Sequence, residues 1–126
     1  MPASILIADD YDDNRELLRL MLETAGYTIR EARNGRECVS MALDDPPDLL
    51  LIDLSMPVLD GWSAFRELRA DERTRRIPCV AITAYVDSTR ERTIETGFDG
   101  YISKPYRSRE LLDTVARLLA RDRNGG

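Results

Sequence analysis

Two adjacent aspartates, Asp9 and Asp10, end one short apolar run of the chain. Asp53 ends a second, Thr83 ends a third, and Lys104 follows a fourth. Brought together, these residues offer three carboxylates, a hydroxyl and an ammonium. Clustered carboxylates repel one another and raise their own pKa values unless a cation neutralises them. Oxygen ligands from only a few carboxylates, with room left for water and phosphate oxygens, suit Mg2+ better than a dedicated Ca2+ cage. A divalent metal, a lysine, a hydroxyl and a carboxylate nucleophile together make a phosphoryl-transfer site. The cations neutralise the equatorial oxygens while the carboxylate attacks in line. An aspartyl phosphate is one of the covalent intermediates open to a carboxylate. Asp53 is the expected nucleophile, because its strand lies between the acid pair and Lys104.

Lys104 is singled out by residue type. It is the only lysine among 18 basic residues; every other one is arginine. Arginine presents a planar fork, whereas lysine is a compact point charge that can reach a single anionic oxygen. In Tyr101-Ile102-Ser103-Lys104-Pro105 the lysine arrives at the end of a short strand. Each residue also has a plainer reading: a surface lysine, a strand-to-turn exit at Asp53, helix capping by Asp9 and Asp10, a solvated strand end at Thr83. The joint placement of all five at one sheet edge argues against coincidence.

That edge follows from an alternation of strand and helix patterns along the whole chain. Strands are expected at Ile5–Ala8, Thr28–Ala32, Leu49–Ile52, Cys79–Ile82 and Tyr101–Ile102. Leu17, Leu18, Met21, Leu22 and Ala25 recur at helical spacing, with Asp13 and Glu16 as a capping box and Gly26 as a C-cap. Asn34 and Glu37 open a second helix, and the helix after Asp60 is expected to bury Trp62, Phe65 and Leu68. A fourth helix runs from about Asp87 to Thr96, with Ile94 as its one large aliphatic residue, so it is expected to be the least stable. The last carries Leu111, Leu112, Val115, Leu118 and Leu119 behind Ser108 as N-cap. Five βα repeats imply a doubly wound α/β fold, (βα)5, with a parallel five-stranded sheet and helices on both faces. The first, third and fourth strands are apolar throughout, as central strands should be, whereas the second and fifth suit edges. The order 2-1-3-4-5 follows, and ligands bind at the carboxyl ends of the strands beside its switch point.

Composition narrows the function classes. One domain is expected over 1–126, with a core at 4–121 and a frayed tail at 122–126. The 43% hydrophobic and 33% charged content is that of an ordinary globular chain. A net charge of -5 argues against a general nucleic-acid partner. Cys38 and Cys79 fall in apolar-periodic segments and read as reduced core thiols. With no signal peptide and no spanning segment in view, a cytoplasmic location is expected and no membrane partner. The chain has no histidine, which excludes a serine–histidine–acid triad, histidine metal ligands and a phosphohistidine of its own. Any phosphohistidine must come from a partner.

Asp9-Asp10, Asp53 with Met56-Pro57 and Asp60-Gly61, Thr83-Ala84 and Lys104-Pro105 resemble the receiver domain of two-component response regulators. The resemblance covers residues 4–121 and implies a flavodoxin-like three-layer fold. It implies that Asp53 accepts phosphate from a histidine kinase or histidine phosphotransfer protein, so that the chain is a signalling phosphoacceptor and not an enzyme. Asp10, Asp53 and the backbone carbonyl of Ser55 would ligate Mg2+, with Asp9 acting through water. Thr83 and Lys104 would bind the phosphoryl group, Tyr101 would be the aromatic switch, and the Lys104–Pro105 bond would be cis. Ser55 and Tyr85 would flank the phosphoryl group and set its lifetime. Output would pass to a downstream protein through the fourth helix, fifth strand and fifth helix. With no DNA-binding or enzymatic effector domain in these 126 residues, a stand-alone regulator and a receiver from a longer chain such as a hybrid kinase both stay open, the polar end at Gly126 mildly favouring the former.

Two other classes are disfavoured on residues. An aspartate-dependent phosphohydrolase wants a second acid two positions after its nucleophile, where this chain has Ser55. A flavin mononucleotide binder wants a small, hydroxyl-rich phosphate loop after the first strand, where Asp9, Asp10, Asp12 and Asp13 stand. Neither G-x-x-x-x-G-K-[ST] nor G-x-G-x-x-G occurs.

Overall fold

The computed structural model describes residues 2–83, 87–105 and 107–125, with the backbone alone for 87–90 and 122–125. Strands and helices alternate: β1 (Ser4–Ala8), α1 (Asp12–Thr24), β2 (Thr28–Ala32), α2 (Gly35–Asp44), β3 (Leu49–Asp53), α3 (Gly61–Arg69), β4 (Cys79–Thr83), α4 (Asp87–Thr96), β5 (Gly100–Ser103) and α5 (Ser108–Gly125). All four strand pairings are parallel, and the sheet order is β2-β1-β3-β4-β5. This is the expected doubly wound architecture.

Two apolar layers sandwich the sheet because alternate strand residues point to opposite faces. Ile5, Ile7, Leu49, Leu51, Val80 and Ile82 pack with Leu18 and Leu22 of α1 and with Leu111, Val115 and Leu118 of α5. Leu6, Leu50, Ile52 and Ala81 face α2 and α3, where Cys38, Val39, Phe65 and Leu68 complete the layer. Every residue of β3 and β4 is buried, whereas β2 and β5 are mixed. Central strands covered on both faces need such unbroken apolar runs. Cys38 and Cys79 are free and buried, and burial pushes both thiols up to about 12.

Local signals set most boundaries. Asn34 accepts the Glu37 N–H at 2.8 Å and Asp60 accepts the Ser63 N–H at 2.9 Å, so both are working N-caps. Gly26 (φ 99°) and Gly97 (φ 111°) occupy the left-handed position after α1 and α4. There the Tyr27 and Phe98 amides reach back to Leu22 and Thr93 carbonyls, closing Schellman motifs.

Other expectations need correction. The N-cap of α1 is Tyr11, with no side-chain cap, because the helix begins at Asp12 before the Asp13–Glu16 pair can bracket its start. Leu17 is 45% exposed, since the buried stripe of α1 is Arg15, Leu18 and Leu22. Trp62 is only partly buried against its layer. Ser108 is the first helical residue of α5 and not its cap, because the Leu111 N–H already bonds to the Arg107 carbonyl. The helix runs to Gly125. Ile94, the one large aliphatic residue of α4, is 60% exposed.

The segment after Asp53 is fixed by two close approaches. A Cβ on Gly61 would lie 2.5 Å from the Asp53 carbonyl oxygen and 2.7 Å from Leu54 Cα. A Cβ on Gly35, at the start of α2, would overlap the Leu59 carbonyl. Between them, Leu59 N–H reaches the Pro57 carbonyl at 2.7 Å across Val58, whose φ of 70° makes a tight γ-turn. Gly61→Ala is therefore expected to destabilise the fold by about 2 kcal/mol or more, since both obstructing groups are backbone. Urea unfolding checks this, and an unchanged midpoint would show that the close approach can relax.

Candidate functional site

β1, β3, β4 and β5 end on the same edge, and the register puts Ala8 beside Ile52, Asp53 beside Ile82 and Thr83 beside Ser103. The residues just past these ends must therefore meet. Asp9, Asp10 and Asp53 each direct a carboxylate oxygen into one space, all within 4.8 Å of one another. Lys104 Nζ donates to Asp53 Oδ2 at 2.7 Å and lies 3.8 Å from Asp9 Oδ2. The Lys104–Pro105 peptide is cis, and the Lys104 N–H bonds to the Thr83 carbonyl at 2.7 Å.

Backbone donors hold the other carboxylate oxygens. The Ser55 N–H donates to Asp53 Oδ1 at 2.9 Å, and the Tyr11 N–H donates to Asp9 Oδ1 at 2.9 Å. Asp9 is wholly buried and Asp53 is 3% exposed, so neither can rely on bulk water. Asp9 Oδ2 and Asp10 Oδ1 are buried with no hydrogen-bond partner. Buried acceptors left unmatched carry a desolvation penalty that a cation would remove. An all-oxygen donor set with two such atoms fits a small hard dication.

The charge balance appears in the acidities. Burial pushes the Asp9 carboxyl up to about 6, the Tyr11 N–H opposes that, and the Asp53 charge adds to it. Burial pulls Lys104 down, but its hydrogen bond to Asp53 and the carboxylate charges around it outweigh that and hold it above its usual value. The lysine remains a cation and compensates part of the negative charge.

The remaining candidates are placed as follows. Thr83 is buried at the end of β4. Ser55 is exposed beside Asp53, with its amide already used. Tyr101 is half-buried on β5 opposite Ala81. Tyr85 lies outside the described residues.

Arg15 supports the site without having been expected there. It is 7% exposed, donates to the Asp9 carbonyl at 2.7 Å and to Glu31 at 3.2 Å, and pairs with Asp12. It ties the β1–α1 turn to β2 and fixes the direction in which Asp9 leaves its strand. An arginine in step with Leu18 and Leu22 on the buried stripe was the available signal. Asn14, Leu17, Lys104 and Pro105 also line a shallow cleft of about 340 Å³ beside the site, continuous with exposed Leu17 on α1.

Asp9 gives a pH test. Its folded value of about 6 lies above the ordinary 3.8, so the metal-free fold favours the protonated acid. Its ionisation therefore costs stability as pH rises from about 4 to about 6, a cost fully present above that window. Asp9→Asn is expected to stabilise the metal-free protein by on the order of 2 kcal/mol at pH 7.5. The gain should shrink toward zero near pH 4. A gain that does not change between these pH values, measured by urea unfolding, would show that Asp9 is not a strained acid.

Comparisons with known proteins agree with this geometry. The profile of the response regulator receiver domain family matches residues 5–116. The chain is 34% identical over 120 residues to the polar-differentiation response regulator DivK of Brucella anthropi, covering 94% of this chain and 98% of that one. The receiver domain of a signal transduction histidine kinase from Syntrophus aciditrophicus superposes with a TM-score of 0.86 at 36% identity, covering 94% and 90% of the two chains. The receiver domain of the Pseudomonas aeruginosa sensor histidine kinase PA1611, which has a magnesium ion coordinated in its active-site cleft, superposes with a TM-score of 0.88 at 34% identity, covering 95% and 99%.

Proposed function

Because the chain belongs to the response regulator receiver domain family, we propose that Asp53 accepts a phosphoryl group from a partner phosphohistidine and that the resulting change is read by a downstream protein. The observation that carries this reading is the position of Asp53, 2.7 Å from the Lys104 ammonium and within a cluster of three carboxylates spanning 4.8 Å. In the reaction a carboxylate oxygen of Asp53 forms the new O–P bond as the P–N bond to the donor breaks. The electron pair returns to the imidazole, which leaves as neutral histidine after taking a proton. Lys104 neutralises charge on the transferred group, and the Ser55 amide holds the carboxylate that attacks.

Asp10, Asp53 and the Ser55 backbone carbonyl are the proposed Mg2+ ligands, with Asp9 acting through water. The metal would supply Lewis-acid neutralisation of the phosphoryl oxygens. Thr83, at the end of β4, is the proposed hydroxyl partner of the phosphoryl group, and Tyr101 is the residue proposed to respond to it. Output is assigned to the α4–β5–α5 face. The cleft beside Lys104 and Leu17 is a natural seat for the donor, since it opens at the site and is partly apolar. No described helix is long and apolar enough to cross a membrane, so nothing in these elements opposes a cytoplasmic role.

Incubation with acetyl phosphate and Mg2+, followed by peptide mass spectrometry, is expected to show one phosphoryl group on Asp53. The label should be absent in Asp53→Asn and should not form when Mg2+ is chelated beforehand. Full labelling of Asp53→Asn would move the acceptor elsewhere.

Lys104→Arg tests the shape of the cation. Lys104 Nζ sits between two carboxylates, at 2.7 and 3.8 Å, in a slot that fits a point charge better than a fork. Phosphorylation by acetyl phosphate is expected to slow by about tenfold or more, equivalent to about 1.4 kcal/mol. A wild-type rate would show that positive charge alone suffices.

A further inference from the structure

At the opposite end of the sheet, the connections entering β4 and β5 enclose a cleft of about 420 Å³. It is lined by Arg69, Arg75, Arg76 and Arg121 with a single acid, Asp99. Four guanidinium groups against one carboxylate leave a local surplus of positive charge on a chain whose net charge is -5. The phosphoacceptor chemistry does not use this cluster, because it lies at the amino ends of strands whose carboxyl ends carry Thr83 and Lys104.

The walls are preorganised. Asp99 accepts Arg69 at 2.9 Å, Arg121 at 3.1 Å and the Cys79 N–H at 2.9 Å, so one carboxylate fixes two guanidiniums against the start of β4. Arg69 also donates to the Ile77 carbonyl at 2.8 Å and lies over the Phe65 ring at 4.6 Å. The segment carrying the other two arginines is anchored by Thr74, which is wholly buried and donates its hydroxyl to the Leu68 carbonyl at 2.6 Å. Arg75 and Arg76 themselves are exposed and make no ion pair among the described residues. The cluster thus has a fixed, partly neutralised side and a side whose forks are unused.

We propose that this cleft is a binding site for a small ligand carrying two linked phosphoryl groups, held by Arg75 and Arg76 against the wall formed by Arg69, Asp99 and Arg121. Guanidinium forks match phosphate oxygens in bidentate geometry, as they do carboxylates, and the greater charge of a phosphate suits the positive surplus better than a halide or a single carboxylate. One phosphoryl group brings roughly 1.5–2 negative charges at neutral pH. That leaves part of the positive surplus unmatched, and a second group matches it. The volume exceeds what one phosphate fills and lies within the range of small-molecule sites. A concave site of this size favours a compact ligand over a nucleic-acid strand, which needs an extended basic track.

The full chain is titrated, metal-free and at constant ionic strength, with inorganic pyrophosphate and a nucleoside diphosphate. Inorganic phosphate and a single-stranded oligonucleotide serve as comparisons, and NMR amide shifts provide the readout. Saturable shifts at Arg75, Arg76 and Asp99 are expected for the diphosphates, with affinity at least about tenfold above that for phosphate. Equal affinity for the two diphosphates assigns recognition to the linked phosphates alone, and tighter binding of the nucleotide identifies it as the source. The Arg75→Ala/Arg76→Ala variant should lose about tenfold or more in affinity while Asp53 phosphorylation is unchanged. Both side chains are exposed and unpaired, so folding is not at risk. Absence of saturable shifts, shifts that survive in the double variant, or a preference for the oligonucleotide would overturn the assignment.

Discussion

Three carboxylates share one sheet edge with a single ammonium, and this uneven charge balance is the constraint around which the molecule is organised. Asp9 is wholly buried and Asp53 nearly so, so neither is relieved by bulk water. Lys104 bonds to Asp53 and approaches Asp9, but it cannot satisfy Asp9 Oδ2 and Asp10 Oδ1 as hydrogen-bond acceptors. The residual negative charge is a cost to the metal-free fold that a bound cation would relieve. The apolar central strands, the turn that delivers Lys104 and the arginine beneath Asp9 all serve to hold these groups where they would otherwise separate.

Holding the Asp53 carboxylate in place requires rigidity on both sides of it. Upstream, β3 is buried along its whole length and cannot slide without exposing leucines on two faces. Downstream, the loop passes between Gly61 and Gly35, where any side chain would strike backbone. The γ-turn at Val58 absorbs the change of direction, at a φ that a β-branched residue rarely adopts. Strain is placed in the loop so that the carboxylate itself has little freedom, the usual relation between a reactive group and its surroundings.

The architecture was legible because burial on both faces writes itself into composition. Leu49 to Ile52 and Cys79 to Ile82 have no polar residue, so the inner strands could be ordered and the acids at their ends brought together. The cap at Asn34 was equally plain, because side-chain and backbone preferences agree there. Elsewhere the two compete. Periodicity alone cannot say which of two neighbouring leucines faces the sheet, and Leu17 faces out because Arg15 takes a place on the inner stripe. Arg15 was invisible for the same reason: an arginine is read as solvated unless its partners, here a backbone carbonyl and acids from two elements, are known.

α4 meets an aromatic ladder through Arg92. Arg92 lies over Trp62 at 4.3 Å, Trp62 meets Phe98 edge-on at 5.8 Å, and Phe98 stacks on Phe65 at 4.0 Å. Trp62 is the chain's only tryptophan. The indole that reports on its environment by fluorescence is thus the one that α4 touches through a charged group. A displacement of the helix by even a fraction of a turn would lift the guanidinium from the ring and alter emission intensity, without unfolding anything. The protein carries its own optical gauge of helix position.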